Sequence, residues 1–430
     1  MHRTIDDQGG EDMAGTTPKP SGLSKGLSRL AAPLLIAVAV QSVANLVFHA
    51  VVGRTLTPSD YGALGAVLAA MTLVAVPLSA LQTAAARTSA AGGLSRATAW
   101  RALSRTFVYS LPAVVALLII AVPIRDFLDL SKTFDAAILA PTLVVATVIS
   151  VARGLLLGAG RSGVVASSFL LATFVRLGPG LVLATEFGIT GALIATLAGE
   201  LAGLALVLWV NFRSPQGPMA PLTAGDVVRT GTVVAGLFAF STVDLFLARH
   251  FLGGAESGYY VAAATIGKTV LALPAAALSI AYPKLVAAWP TEARFAALRS
   301  ALGVVGLPAL AGIAVVAALP GLVLTVLYGS GTYAPAESLT RVLATVAGTS
   351  AFVSVFAHAA LARNSAWALF PWAAAALEVA LIWWRHADMM QVAFGAVVAL
   401  VFALVGLGIR ELTAWRRTAD IGLMPAAAAP

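Results

Sequence analysis

From residue 31 almost to the C-terminus, long apolar stretches alternate with short polar ones. The stretches run at about 31–52, 62–86, 106–124, 136–152, 163–185 and 188–209, then at 227–248, 258–282, 301–327, 337–361, 365–384 and 389–409. Each is long enough, as a helix, to cross about 30 Å of hydrocarbon. The pattern therefore predicts an all-α polytopic membrane protein of twelve transmembrane helices. Residues 1–29 read as a disordered polar tail, and no small-residue cleavage site marks them as a signal peptide. Six spans fill a first lobe (30–210) and six a second (227–411). Between them lies the three-proline linker N-F-R-S-P-Q-G-P-M-A-P-L-T-A-G-D (211–226), and a second tail covers 412–430.

Composition sharpens this reading. The 430 residues are 59% hydrophobic and 11% charged, against about 25% charged in a soluble domain. The absence of cysteine excludes disulfides, thiolate nucleophiles, Fe–S clusters and Cys-ligated zinc. The histidines at 2, 49, 250, 358 and 386 lack metal-binding spacing, and no GxxxxGK[ST] loop supplies an ATP site. No extramembrane segment is long enough for a catalytic domain, so neither enzyme activity nor a cofactor is expected. The net charge of +8 follows membrane orientation and not nucleic acid. With a cytoplasmic N-terminus, inside segments carry 19 of the 27 Lys and Arg residues and outside segments 5, which predicts both termini in the cytoplasm.

The two halves echo each other. V-V-G-R-T-L-T-P-S-D-Y-G (51–62) and L-A-R-H-F-L-G-G-A-E-S-G (247–258) align so that Leu56 falls on Leu252, Asp60 on Glu256 and Gly62 on Gly258. Pro77 and Pro274 lie one residue out of that register, deep in the following helices. An even number of spans per half makes such a repeat parallel, with a cavity expected between the lobes. The first of these segments resembles the first-hairpin signature of the oligosaccharide flippases of bacterial polysaccharide synthesis, and D-L-F-L-A-R-H-F-L-G-G-A-E-S-G-Y-Y-V-A-A-A-T-I-G-K (244–268) resembles their second-half segment. A-Y-P-K-L (281–285) is similar to their helix-ending phenylalanine–proline element. Thr57 and Gly254 depart from the family's usual Gly and Pro. The resemblance implies a member of the multidrug/oligosaccharidyl-lipid/polysaccharide exporter superfamily in a bacterial plasma membrane. Its substrate would be a polyprenyl-diphosphate-linked glycan moved from the inner to the outer leaflet, and its partners polysaccharide polymerase or ligase machinery.

Charges inside spans cost about 2.5–3.5 kcal/mol on insertion scales, so they face a partner or a wet cavity. Asp244 and Lys268 lie at depths that permit an ion pair across one hairpin; the pair either pins that hairpin or places Lys268 on the cavity wall with Asp244 as its tuner or a proton carrier. A lipid diphosphate needs fixed cations along its route, and Arg54, Arg176, Arg249, Lys268 and Arg341 are the candidates. For Arg54 and Arg249 the competing role is snorkelling to headgroups, for Arg176 helix packing beside Pro179, and for Arg341 pairing with Glu337 one turn away. Gln41, Asn45 and His49 share one face of the first helix and suit either sugar hydroxyls or interhelical hydrogen bonds. His49 and His358 could titrate with a proton gradient, and Glu200 and Glu378 are cation, proton or structural sites. Prolines 77, 112, 123, 179, 274, 308, 320 and 371 are expected to bend helices. The rival functional reading is a cation-coupled multidrug antiporter of the same superfamily, which favours carboxylates in the cavity. A membrane enzyme on lipid-linked glycans would need a larger outer loop, and a non-transporting scaffold is the remaining rival.

Overall fold

A computed structural model describes residues 21–75, 78–215, 225–289, 291–329 and 331–416. Every extended element among them is α-helical. The first half contains α1 (Ser21–Thr55), α2 (Pro58–Ala75), α3 (Leu78–Gly92), α4 (Arg96–Ile119), α5 (Ala121–Phe127), α6 (Thr133–Ala137), α7 (Leu139–Gly158) and α8 (Ser162–Phe212). The second contains α9 (Gly225–Phe240), α10 (Val243–Leu252), α11 (Gly254–Ala288), α12 (Arg294–Ala318), α13 (Pro320–Tyr328), α14 (Glu337–Ala362), α15 (Phe370–Trp384) and α16 (Met389–Arg416). Ten described helical stretches are long and apolar enough to cross a membrane, and large apolar side chains such as Ile36, Leu307 and Trp384 lie exposed on their surfaces. The chain is a multi-pass helical membrane protein.

Helix α8 has 51 residues, about 77 Å at helical rise, far more than one bilayer core. It breaks at Gly188, where φ is 59° and ψ −135°, a backbone region essentially confined to glycine. The break falls at the first residue of the second of the two stretches expected at 163–185 and 188–209. Its arms then pack back to back: a Cβ on Gly191 would stand 1.8 Å from the Leu183 carbonyl, and one on Gly199 2.5 Å from that of Ala172. Small residues allow such close backbone approach in membranes.

Several expectations shift. Helix α1 begins at Ser21, so 21–29, expected in the tail, are helical; 1–20, 216–224 and 417–430 lie outside the described residues, as does Pro77. Pro123, Pro320 and Pro371 sit in first turns and start helices instead of bending them. Pro112, Pro179 and Pro308 do lie inside helices. Arg153, just past the apolar stretch 136–152 and so one of the 19 inside cations expected from the sequence, is instead buried in α7. Its guanidinium is neutralised within the bundle, 3.7 Å from Glu200, which is why a span continues through it.

The halves meet where α2 packs on α11. A Cβ on Gly62 would stand 2.3 Å from Ser257 Oγ, and one on Gly258 1.9 Å from the Pro58 carbonyl, so the backbones touch there. This end of the molecule, with the turns at 55–58 and 252–254, is called the tip end below. A single apolar core crosses the seam, joining Phe48, Tyr61 and Leu64 to Tyr260, Val261 and Tyr328. The halves also correspond in detail. Each has a long helix followed by a short one, α4–α5 and α12–α13, and each short helix is followed by a left-handed residue, Asp129 (φ 47°) and Gly329 (φ 87°).

Candidate functional site

The polar face of α1 is the organising surface. Asn45 Oδ1 accepts a hydrogen bond from Arg176 Nη1 of α8 at 3.1 Å. The Arg176 guanidinium lies 3.9 Å from the centroid of the Phe48 ring, a cation–π contact, and its Nε is buried with no partner. One turn along, His49 Nδ1 is 3.0 Å from Tyr61 Oη. His49 feels the charge of both Arg176, in the first half, and Lys268, in the second. Gln41 lies partly buried on the same face.

Lys268 sits roughly 20 Å along α11 from its first residue, and its side chain is exposed. It forms no hydrogen bond or ion pair with the described residues. An ammonium at that depth against lipid would carry the cost of a charge in hydrocarbon. Its charge acts instead on His49 of α1 and Asp244 of α10.

The expected Asp244–Lys268 ion pair is not formed within 4 Å. Asp244 Oδ2 instead accepts from Tyr260 Oη at 2.9 Å, because Tyr260 lies nearly level with Asp244 on the α10–α11 hairpin whereas Lys268 is about 12 Å further along α11. Asp244 Oδ1 is buried without a partner, as is Glu378 Oε2; Glu378 is 1% exposed and interacts electrostatically with Asp244. Three helices, α10, α11 and α15, thus enclose two carboxyl groups with unused acceptor capacity.

The remaining candidates fall elsewhere. Arg341 pairs with Glu337 at 3.1 Å and donates to the Ala317 carbonyl, the local arrangement expected of one helical turn. Arg54 reaches the carbonyls of Val326 and Leu327, and Arg249 those of Leu128 and Asp129, each in the opposite half. Glu200 is held by Arg153, which also donates to Ser168 Oγ. His358 Nδ1 donates to the Ser354 carbonyl of its own helix. A surface hollow of about 570 Å³ is lined by Arg96, Trp100 and Phe212 and includes none of these groups.

Sequence reasoning missed the tyrosines. Tyr61 Oη lies 3.1 Å from Tyr328 Oη across the seam, and Tyr333 Oη donates to the Gly53 carbonyl at 3.0 Å. With Tyr259 edge-on to Tyr333 they cap the His49 side of the site. Their recurrence beside glycine, in D-Y-G, S-G-Y-Y and L-Y-G-S-G-T-Y, was the available signal.

Comparison with known proteins gives a fold. No family model matches the chain, and no curated protein does. Among solved structures, an inward-facing multidrug resistance MATE family transporter of the MOP superfamily matches with a TM-score of 0.65 at 17% identity, covering 91% of this chain and 99% of that one. An outward-facing structure of a MATE family transporter matches at 0.59 and 18% identity, over 92% and 97%. The lipid II flippase MurJ, in an inward closed conformation, matches at 0.65 and 11% identity over 88% of each chain. The chain shares the fold of these proteins.

Proposed function

We propose that this protein is a flippase that carries a polyprenyl-diphosphate-linked oligosaccharide from the inner to the outer leaflet of a bacterial plasma membrane by alternating access. The observation that carries the reading is that Arg176 binds the polar face of α1 at Asn45 while Lys268, from the opposite half, adds its charge at His49 one turn along. Lys268 has no counter-ion within 4 Å, so it is available to an anionic headgroup. Arg offers a diphosphate a bidentate contact and Lys a mobile point charge, while Gln41 and Asn45 continue the polar face toward sugar hydroxyls.

The break in α8 at Gly188 and the helix pair α2–α3 support twelve spans in two lobes of six, and the matching α4–α5 and α12–α13 units support a parallel repeat. The positive-inside distribution puts both termini in the cytoplasm and the tip end outside. The tip seam is packed shut, as an inward-facing state requires. In such a cycle the headgroup and glycan enter between the halves while the polyprenyl chain stays in lipid, and rocking of the halves then opens the tip end. The drive fits a cation or proton held by Asp244 and Glu378, since two enclosed carboxyl groups are stable together when they share a positive charge. The same pair favours the antiporter as second reading.

Mass spectrometry of lipid extracts from a conditional depletion strain tests the proposal. Accumulation of a polyprenyl-diphosphate glycan, cleared by the parent protein and not by Lys268→Ala at equal membrane abundance, is the expected result. An unchanged lipid-linked pool with altered sensitivity to cationic drugs would overturn it in favour of the antiporter.

A further inference from the structure

Arg54 and Arg249 stand at the tip ends of corresponding helices, α1 and α10, and each crosses to the opposite half. Arg54 donates from Nε to the Leu327 carbonyl at 2.9 Å and from Nη2 to that of Val326 at 2.5 Å, at the end of α13. Arg249 donates from Nε to the Leu128 carbonyl at 2.8 Å and from Nη2 to that of Asp129 at 2.6 Å, at the end of α5. Its Nη1 adds the Ser59 carbonyl of α2 at 3.2 Å and Ser257 Oγ of its own half at 3.0 Å. His250 follows the same direction, donating from Nδ1 to the Phe127 carbonyl at 2.8 Å.

The acceptors explain the arrangement. The last carbonyls of a helix have no partner within it and form the negative end of its dipole. Asp129 and Gly329, both at positive φ, follow α5 and α13 and stop the helix from continuing past those carbonyls. A guanidinium fork satisfies two such carbonyls at once and supplies the charge the dipole favours. Each half therefore donates an arginine and accepts one, in the same way, about the seam.

We propose that Arg54 and Arg249 are positioning residues for transport: a reciprocal latch that holds the tip end closed and whose release accompanies opening there. All but one of their hydrogen bonds run between the halves, so neither half needs them for its own helices. When the seam parts, water can take the place of both the guanidinium and the carbonyls, which makes the contact reversible. The sides are unequal. Arg249 is 3% exposed and bound from all three of its nitrogens, whereas Arg54 is exposed with two contacts, so Arg249 carries more of the closure. The Asp129 carboxylate, 77% exposed and 3.3 Å from Arg249, adds little.

This inference rests on alternating access and not on the identity of the cargo, and its test needs no substrate. The chain has no cysteine, so Ser131→Cys and Thr332→Cys, both exposed and in opposite halves, take spin labels directly. Double electron–electron resonance in lipid nanodiscs then reads the distance across the tip end. Arg54→Gln should move part of the population to longer distances, and Arg249→Gln more of it. The double variant should raise the open-to-closed ratio by about tenfold, the scale set by losing hydrogen bonds to a charged group. Asp129→Asn should leave the parent distribution. An unchanged distribution in a monodisperse double variant would overturn the latch, and so would Asp129→Asn matching Arg249→Gln, since the hold would then be an ion pair. If Arg249→Gln fails to fold, Arg54→Gln and Arg249→Lys decide: parent distances in both would overturn the proposal. Failure of the glycan assignment would appear only in the lipid pool, leaving these distances unaffected.

Discussion

Among the buried charges, partner choice separates groups that are fully held from groups with unused hydrogen-bonding capacity. Arg363 donates from Nε and Nη2 to both carboxylate oxygens of Glu411, which also accepts from Trp415 Nε1. Glu411 and Trp415 are fully buried. Arg363→Ala would strand that carboxylate and should cost about 3–5 kcal/mol, seen as a lowered Tm of the purified protein. Glu378 is the contrasting case, because one of its oxygens has no partner to lose. Glu378→Gln should keep the Tm of the parent while removing the response of transport to an imposed cation or proton gradient; an unchanged response would take Glu378 out of the coupling site. Depth along a helix is legible in sequence, which is how Asp244, Lys268 and Arg176 were found. Which partner a side chain takes at that depth is not: Asp244 is held by Tyr260, about two turns of α11 short of Lys268. Arg153 misled for a related reason: a charge in an apolar run reads as a span end, unless a distant carboxylate, here Glu200 in the second arm of α8, neutralises it.

At the scale of elements, glycines set where backbones turn and touch. Gly188 joins the arms of α8 through a conformation that an L side chain rarely enters. Gly188→Ala should cost about 1–3 kcal/mol of stability, again read from Tm. Gly258→Ala acts differently, since its own helix tolerates alanine and the clash is with the Pro58 carbonyl of the other half. It should leave helix content unchanged by circular dichroism while making labels at the tip end accessible to water-soluble thiol reagents, after cysteine is introduced there. Apolar run lengths and the Leu56/Leu252 and Gly62/Gly258 register were enough to outline these elements. The short helices α5 and α13 were not visible, because each continues the apolar run of the helix before it and only a residue at positive φ marks its end.

For the whole molecule, orientation is the first consequence to check. Epitopes placed at either terminus should be reached by antibody only after the plasma membrane is permeabilised, and labelling of intact cells at either end would invert the assignment of the tip end. The multi-pass helical character could be read from sequence because it depends on the spacing of apolar runs. The closure of the seam depends on pairs such as Tyr61 with Tyr328 and Arg54 with Leu327, hundreds of residues apart, and no local pattern announces them.

The apolar core that runs unbroken from one half into the other bears on how the protein responds to temperature. Parting the tip end would wet Leu64, Val261 and the faces of Tyr61 and Tyr260, which are now buried. Exposure of apolar surface raises heat capacity, so the open-to-closed ratio should follow a curved van't Hoff line instead of a straight one. Because the apolar contribution weakens on cooling, the closed state loses part of its advantage in the cold, and the protein's membrane-side equilibrium becomes a property of the temperature at which its cell grows.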